Sequence, residues 1–317
     1  MKAIMYHYVR PYESELPFLK KLDIEDFRLQ LDYFNDNFGF VSKQDFLNCF
    51  ITGELPNGVV LTFDDGLRCH YDYVFQELKK RGLWGIFYIS SLPYITDEFL
   101  DVHKIHVLLG KMDAKIVYEF LLKIIDSHHL DSERLSEFQK VTYSSQINDN
   151  YTLLVKRILN YYLKYEFKKV VLDKLMQEFI ADSSINPKSF YLNQTQIQEM
   201  SLNGMIIGSH TNSHPVMSRL TKTEQEEEIN ISFRLVGQVC PMQKAKTFCY
   251  PYGGFHTFNE STLNILTNQQ VDFAFNVEHR DITENDIKNQ KLFLPRYDCN
   301  KFKYGQVRTH TNGLLVK

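Results

Sequence analysis

A chain of 317 residues, 44% of them hydrophobic, carries enough apolar side chain for a large core and reads as globular. Lys and Arg total 36 against 39 Asp and Glu, and a net charge of -3 gives no electrostatic reason to expect nucleic acid or an anionic membrane as partner. No run approaches the roughly 18 apolar residues that span a bilayer, so no integral membrane segment is expected. The opening residues, MKAIMYHYVRPYESELPFLKK, lack the apolar stretch and cleavage site of a secretory signal. The five cysteines, Cys49, Cys69, Cys240, Cys249 and Cys299, are odd in number and lack CxxC spacing, which suits free thiols in a reducing compartment. The expected location is cytoplasmic, with neither a disulfide framework nor a cysteine zinc site.

In chain order, AIMYHYV (3–9) is the first strand-like run. Asp23 is placed to cap a helix in which Phe27, Leu31 and Phe34 fall at i, i+4 and i+7. VVLTF (59–63) reads as a buried strand, YDYVFQELKKRG as a helix closed by basic residues and Gly82, and GIFYIS (85–90) as a third strand. Such alternation of strand and helix favours a parallel sheet. Between Asp97 and Asn186 the character changes: there is no proline, Gly110 is the single glycine, and Val117, Phe120, Leu121 and Ile124, then Val155, Ile158, Leu159 and Tyr162, recur at helical spacing. A helical insertion over about 97–190, within one domain spanning 1–317, is the expectation. Alternation resumes with MIIGSH (205–210), a helix opened by a Thr221–Glu224 capping box with Ile229, Phe233 and Val236 on one face, KTFCYP, a helix near 261–268, FAFNV and LFLPRYD. The charge run TEQEEEIN reads most simply as an exposed first helical turn.

In parallel α/β folds, sites form beyond the carboxyl ends of the strands. There this chain places His7, then Asp64 and Asp65, then His210 with His214, then Pro251-Tyr252-Gly253, then Arg296 and Asp298. In SHTNSHP the two histidines have the spacing of a helical metal site, but Asn212, Ser213 and Pro215 argue for a loop wrapping the ion. Two imidazoles and one carboxylate, with open positions for water and substrate, form a ligand set suited to zinc or a similar transition metal. At DDG, Gly66 gives the backbone freedom for a turn in which both carboxylates reach one cavity, one to bind metal and its neighbour to act as base. From the residues alone, plainer readings stay open: two loop histidines, and a turn with an N-cap for the next helix.

Together, and in this order, LTFDDG, SHTNSH and FCYPYG resemble the NodB-homology polysaccharide deacetylases, carbohydrate esterase family 4. The resemblance covers the three motifs and the surrounding alternation of strand and helix, but not the insertion. It implies an α/β fold, a distorted (β/α)7-type barrel with a helical insertion, and metal-dependent removal of N-acetyl groups from amino sugars. By it Asp64 is the general base, Asp65, His210 and His214 hold one divalent metal ion, zinc first among the candidates, and the backbone N–H of Tyr252 helps to bind the oxyanion.

The chain departs from the family pattern in two ways. Cys249 stands where many members carry an arginine that pairs with the base, and the later Asp-Trp and LxH motifs are absent as such. IMYHYV resembles the opening of the circularly permuted deacetylases that act on poly-N-acetylglucosamine, which implies that His7 supplies the acid, with His310 in reserve. Arg296 is then the candidate to replace the missing arginine and orient Asp64, and Asp298 the candidate to orient His7. The reaction expected is hydrolysis of an N-acetyl, or N-formyl, group on an amino sugar, nucleotide- or lipid-linked or an oligosaccharide, in surface polysaccharide biosynthesis. The alternatives are a catalytically inactive carbohydrate-binding protein on the same fold and a deacylase of a non-sugar amide such as an acetylpolyamine. Retention of Asp64, Asp65, His210 and His214 favours the enzyme.

Overall fold

The apolar runs become neighbouring strands of one sheet in a computed structural model, which describes residues 1–131, 142, 148–181, 184–311 and 314–316. They are β1 (Lys2–Tyr6), β2 (Val59–Phe63), β3 (Ile86–Ile89), β4 (Ile206–Ser209), β5 (Thr247–Cys249), β6 (Phe273–Phe275) and β7 (Tyr297–Asp298). The order across the sheet is β6-β5-β4-β3-β2-β1-β7, with every neighbouring pair parallel. Parallel neighbours need crossover connections. Helices supply them: Ile24–Asn37 and Lys43–Thr52 before β2, Gln76–Arg81 before β3, Gln194–Leu202 before β4, Lys222–Val239 before β5, Glu260–Asn268 before β6 and Glu284–Asn289 before β7. Two of the caps read from sequence are present, since Asp23 accepts from Glu25 N–H, and Thr221 and Glu224 form a reciprocal box.

The last strand segment serves both edges of the sheet. Leu294 pairs with Phe275 of β6, its N–H donating to the Ala274 carbonyl at 2.8 Å and its own carbonyl accepting from Asn276 N–H at 3.0 Å. Three residues on, Tyr297 pairs with Ile4 and Asp298 with Met5 of β1. One extended stretch therefore bridges edges that would otherwise be open, and the seven strands form the distorted (β/α) barrel that the motifs imply.

Side chains alternate along a strand, and here both faces are buried. Leu61 and Phe63 pack outward against Phe27, Leu31 and Phe34 of the first helix, while Val60 packs inward with Ala3, Ile86, Tyr88, Ile206, Phe275 and Leu294. Burial on both faces is why VVLTF is an almost continuous apolar run rather than an alternating one. Gly208 admits the Tyr88 ring to the interior: a Cβ there would lie 2.3 Å from that ring and 2.9 Å from Thr247. The Tyr88 hydroxyl shares a hydrogen bond with Thr247 Oγ1 at 2.8 Å.

The chain divides into two compact units. The first, Met1–Pro11, Lys21–Glu98 and Pro187–Val307, holds the barrel. The second, Tyr12–Lys20, Phe99–Asn186 and Arg308–Lys317, holds the helices Asp101–Lys111, Ala114–Ile124, Asn150–Arg157 and Tyr165–Ile180, and an antiparallel pair of Thr309–Thr311 with Leu314–Val316. Within it Val117, Leu121, Val155, Ile158 and Leu159 are buried at the positions their spacing marks. Among the described residues no helix is long and apolar enough to cross a membrane.

Candidate active site

Inward-facing positions continue past the strand ends into the polar residues. On β2 the inward set is Val60 and Thr62, and the next member is Asp64; on β4 it is Ile206 and Gly208, followed by His210; on β1, Ala3 and Met5, followed by His7; on the closing segment, Leu294, followed by Arg296. One period-two rule thus delivers four reactive side chains to one end of the interior.

Asp65 breaks that rule, because on a continued strand it would share the outward face of Phe63. Its φ of 82°, followed by 64° at Gly66, reverses the chain. Its Oδ1 then lies 3.4 Å from His210 Nε2 and 3.6 Å from His214 Nε2. Thr211, His214 and Tyr252 are also left-handed, at 66°, 60° and 63°. With Asp65 they make four of the eight non-glycine residues in that region among those described. Each such residue costs of order 1–3 kcal/mol, and half of that strain is concentrated in three loops at one end of the barrel.

Asp65, His210 and His214 are buried, with ligand atoms all within 4.8 Å of one another. A tetrahedral ion with bonds near 2.1 Å sets its ligands about 3.4 Å apart, close to the spacings found, so the donor set fits a divalent ion of zinc type. His210 Nδ1 donates to the Cys249 carbonyl at 2.8 Å, which turns the Nε2 lone pair toward Asp65. Burial opposes charge on His210, yet the Asp65 and Asp64 carboxylates push its pKa well above the ordinary value. A field that favours a proton there favours a divalent cation more. Asp64, His210 and Cys249 form a second converging set, but a cationic group already occupies it.

That group is Arg296, fully buried. Nη1 and Nη2 donate to Asp64 Oδ1 and Oδ2, each at 2.8 Å; Nη2 also lies 2.9 Å from Cys249 Sγ, Nη1 donates to Thr62 Oγ1 at 3.0 Å, and Nε to the Asn276 carbonyl at 3.1 Å. Burial alone would raise the Asp64 pKa, but the Arg296 charge and its hydrogen bonds, with smaller help from His210 and His7, hold it below the ordinary value. Burial pushes the Cys249 thiol up. The place of an arginine at position 249 is thus taken by a small neutral side chain, and the guanidinium arrives from the closing segment.

The loop of the two histidines is fixed from both sides. Ser90 Oγ donates to the His210 carbonyl at 2.8 Å, and Ser91 donates N–H to the Thr211 carbonyl at 3.2 Å and Oγ to Asn212 Oδ1 at 2.7 Å. From the helix Lys222–Val239, Glu228 accepts from Ser213 N–H at 2.7 Å and from Ser213 Oγ at 2.6 Å. The Tyr252 ring stands edge-on to that of His214, 4.9 Å between centroids. No motif in the sequence marks Ser90, Ser91 or Glu228. The serines follow β3 and offer a positional signal, whereas Glu228 is one of four glutamates in a run and offers none.

His7 Nε2 lies 4.0 Å from Asp65 Oδ2, and the side chain is 40% exposed, so it borders the ligand set and still reaches solvent. Contrary to expectation, the structure does not bring Asp298 to His7. Its carboxylate instead accepts from Asn300 N–H at 3.1 Å, capping the turn Cys299–Lys301, and no contact with His7 occurs among the described residues. His310 is on the strand Thr309–Thr311 of the second unit, and its side chain lies outside what is described.

Residues 146–274 match the family model described as polysaccharide deacetylase. A comparison with curated proteins gave no significant match. Among solved structures the chain is similar to the Streptococcus pyogenes deacetylase PplD in complex with acetate (16% identity, 94% of this chain and 91% of that one, TM-score 0.56). It is similar also to IcaB from Ammonifex degensii (17%, 94% and 90%, TM-score 0.52) and to the BpsB deacetylase domain from Bordetella bronchiseptica (13%, 94% and 96%, TM-score 0.53). At these identities the likeness is one of fold.

Proposed function

We propose that this chain, whose residues 146–274 match the polysaccharide deacetylase model, is a metal-dependent amide hydrolase removing N-acetyl, or N-formyl, from an amino sugar. The observation that carries the reading is the convergence of Asp65, His210 and His214 beside a carboxylate, Asp64, that is held apart from them by Arg296. When bound by those three residues, a divalent ion, zinc in this proposal, polarises the amide carbonyl and lowers the pKa of water from 15.7 to about 7.

The remaining work falls to the chain. Asp64, kept ionised by Arg296, takes the proton of the attacking water. As the C–O bond forms, charge collects on the former carbonyl oxygen, and the Tyr252 N–H donates to it. The C–N bond then breaks while His7 protonates the departing amine, leaving acetate and a free amino sugar. Arg296 acts through Asp64 as a positioning residue. Asp298 keeps the turn after β7 and is given no role in this proposal.

The substrate we propose is a nucleotide- or lipid-linked amino sugar, or an oligosaccharide, on the way to a surface polysaccharide, handled in the cytoplasm. Five free cysteines, all buried, support a reducing compartment. One domain over 1–317 with an insertion at about 97–190 is part of the same proposal. The test compares wild type with Asp64→Asn for bound metal and for turnover of N-acetylated sugars, nucleotide sugars and polyamines. Equal, stoichiometric metal with kcat lowered about 10²- to 10⁴-fold on sugars is expected. Absence of metal together with unchanged turnover in the variant would sink the reading, as would sugar binding without any turnover. Preference for the polyamines would replace the sugar by a non-sugar amide.

A further inference from the structure

Five residues beyond Asp65 the chain enters a π-helical turn, His70–Phe75, of the kind that re-aims a side chain at functional sites. Its first residue, His70, is fully buried, the ring 5.7 Å from Phe63 and 5.9 Å from Phe87 between centroids. Its Nε2 lies 2.7 Å from the carbonyl oxygen of His7. A carbonyl only accepts, so Nε2 carries the proton. Nδ1 is buried with no hydrogen-bond partner. Burial pushes the imidazolium down to about 4, so the neutral ring has one donor in use and one lone pair enclosed by apolar groups.

Packing alone does not account for a histidine here. A phenylalanine would fill the same apolar space without an unsatisfied nitrogen. What histidine adds is the Nε2–H, and its acceptor is the backbone of the site residue His7. The ladder between β1 and β2 ends just before: Tyr6 is the last β1 residue in register with β2, opposite Phe63, and the Tyr6 carbonyl takes Asp64 N–H at 2.9 Å. The next carbonyl is anchored by the side chain of His70 in place of a strand.

We propose that His70 is a positioning residue, clamping the His7 peptide to the loop after β2 so that the His7 imidazole stands beside Asp65. This rests on the reading of His7 as the acid. The experiment compares wild type, Asp64→Asn, His70→Phe, His70→Gln and His70→Met, all as full chains. Phenylalanine should melt no lower than wild type, yet lower kcat about 10- to 100-fold through misplacement of His7, with KM within about twofold. Glutamine, whose amide N–H can reach the carbonyl, should keep most of kcat, and methionine, of similar length without a donor, should behave as phenylalanine does. If phenylalanine does not fold, glutamine against methionine makes the same comparison. Equal kcat in all three variants overturns the proposal, as does a kcat that falls only in step with the melting temperature. Should wild type and Asp64→Asn both be inert, the hydrolase reading fails by itself. The ring resonances of His7 then decide for His70: displaced by phenylalanine and methionine but kept by glutamine supports the clamp, and unchanged in all three refutes it.

Discussion

Arg296 and Asp64 meet through two parallel hydrogen bonds of 2.8 Å, both residues buried. Removing one partner of such a pair leaves an uncompensated charge, so Arg296→Met should destabilise the protein by about 3–5 kcal/mol in denaturant titration. It should also raise the Asp64 pKa, because burial then acts unopposed; the acid limb of the kcat/KM profile moves to higher pH. A second pH effect comes from His70, which is buried neutral with a pKa pushed from 6.5 to about 4. The unfolded chain binds the proton first, so this contribution is complete above pH 6.5 and is lost as pH falls toward 4, a change of about 3 kcal/mol. His70→Phe should remove that part of the pH dependence, seen as a flatter melting temperature between pH 6.5 and 4. Strand-end parity makes His7, Asp64, His210 and Arg296 legible from sequence. It misjudges Asp298, because a carboxylate at the start of a turn is drawn to the nearest unpaired N–H, and nothing in the letters ranks that against a distant imidazole.

The loop carrying His210 and His214 owes its shape to neighbouring elements. Glu228, on the helix Lys222–Val239, holds Ser213 by two hydrogen bonds, and burial raises its pKa although those bonds work the other way. Glu228→Ala should weaken divalent-metal binding about 10- to 100-fold, as loss of an orienting partner does elsewhere. Isothermal titration with zinc measures it; an unchanged affinity would mean that Ser90 and Ser91 suffice. The helix itself is readable from its capping box and apolar face. Which glutamate of TEQEEEIN turns inward is not, because Glu226, Glu227 and Glu228 differ in sequence only by a rotation of about 100° each, and the histidine loop lies under one of them. Left-handed backbone at Asp65, Thr211, His214 and Tyr252 is hidden for a similar reason: local preference opposes it, and only the closed set of contacts holds it.

For the molecule as a whole, parallel strands buried on both faces leave near-continuous apolar runs, which is why seven strands can be counted in the sequence itself. Ring closure is not legible there, since Leu294 and Tyr297 take different partners far away along the chain. Nor is the membership of the second unit, where Tyr12–Lys20 and Arg308–Lys317 join the helical stretch. Several carboxylates besides Asp64 are held below their usual range: burial would raise each of them, but arginine partners prevail at Glu77 and Asp286, and Lys2 with Tyr297 prevails at Asp281. Their stabilisation is present above the unfolded carboxylate range and is lost as pH falls from there through the lower native values. The melting temperature should therefore drop steeply below about pH 4; a melt unchanged down to pH 3 would contradict it. The stretch that closes the ring also sets a timetable. Arg296 reaches Asp64 across 232 residues of sequence, so a growing chain on the ribosome has made every proposed metal ligand, and both histidines of the acid assembly, well before the counter-ion of its base emerges. Until that closing segment docks, Asp64 is denied the environment that keeps it ionised while buried. Competence for the proposed hydrolysis therefore waits until the stretch that carries Arg296 has been made and has closed the ring.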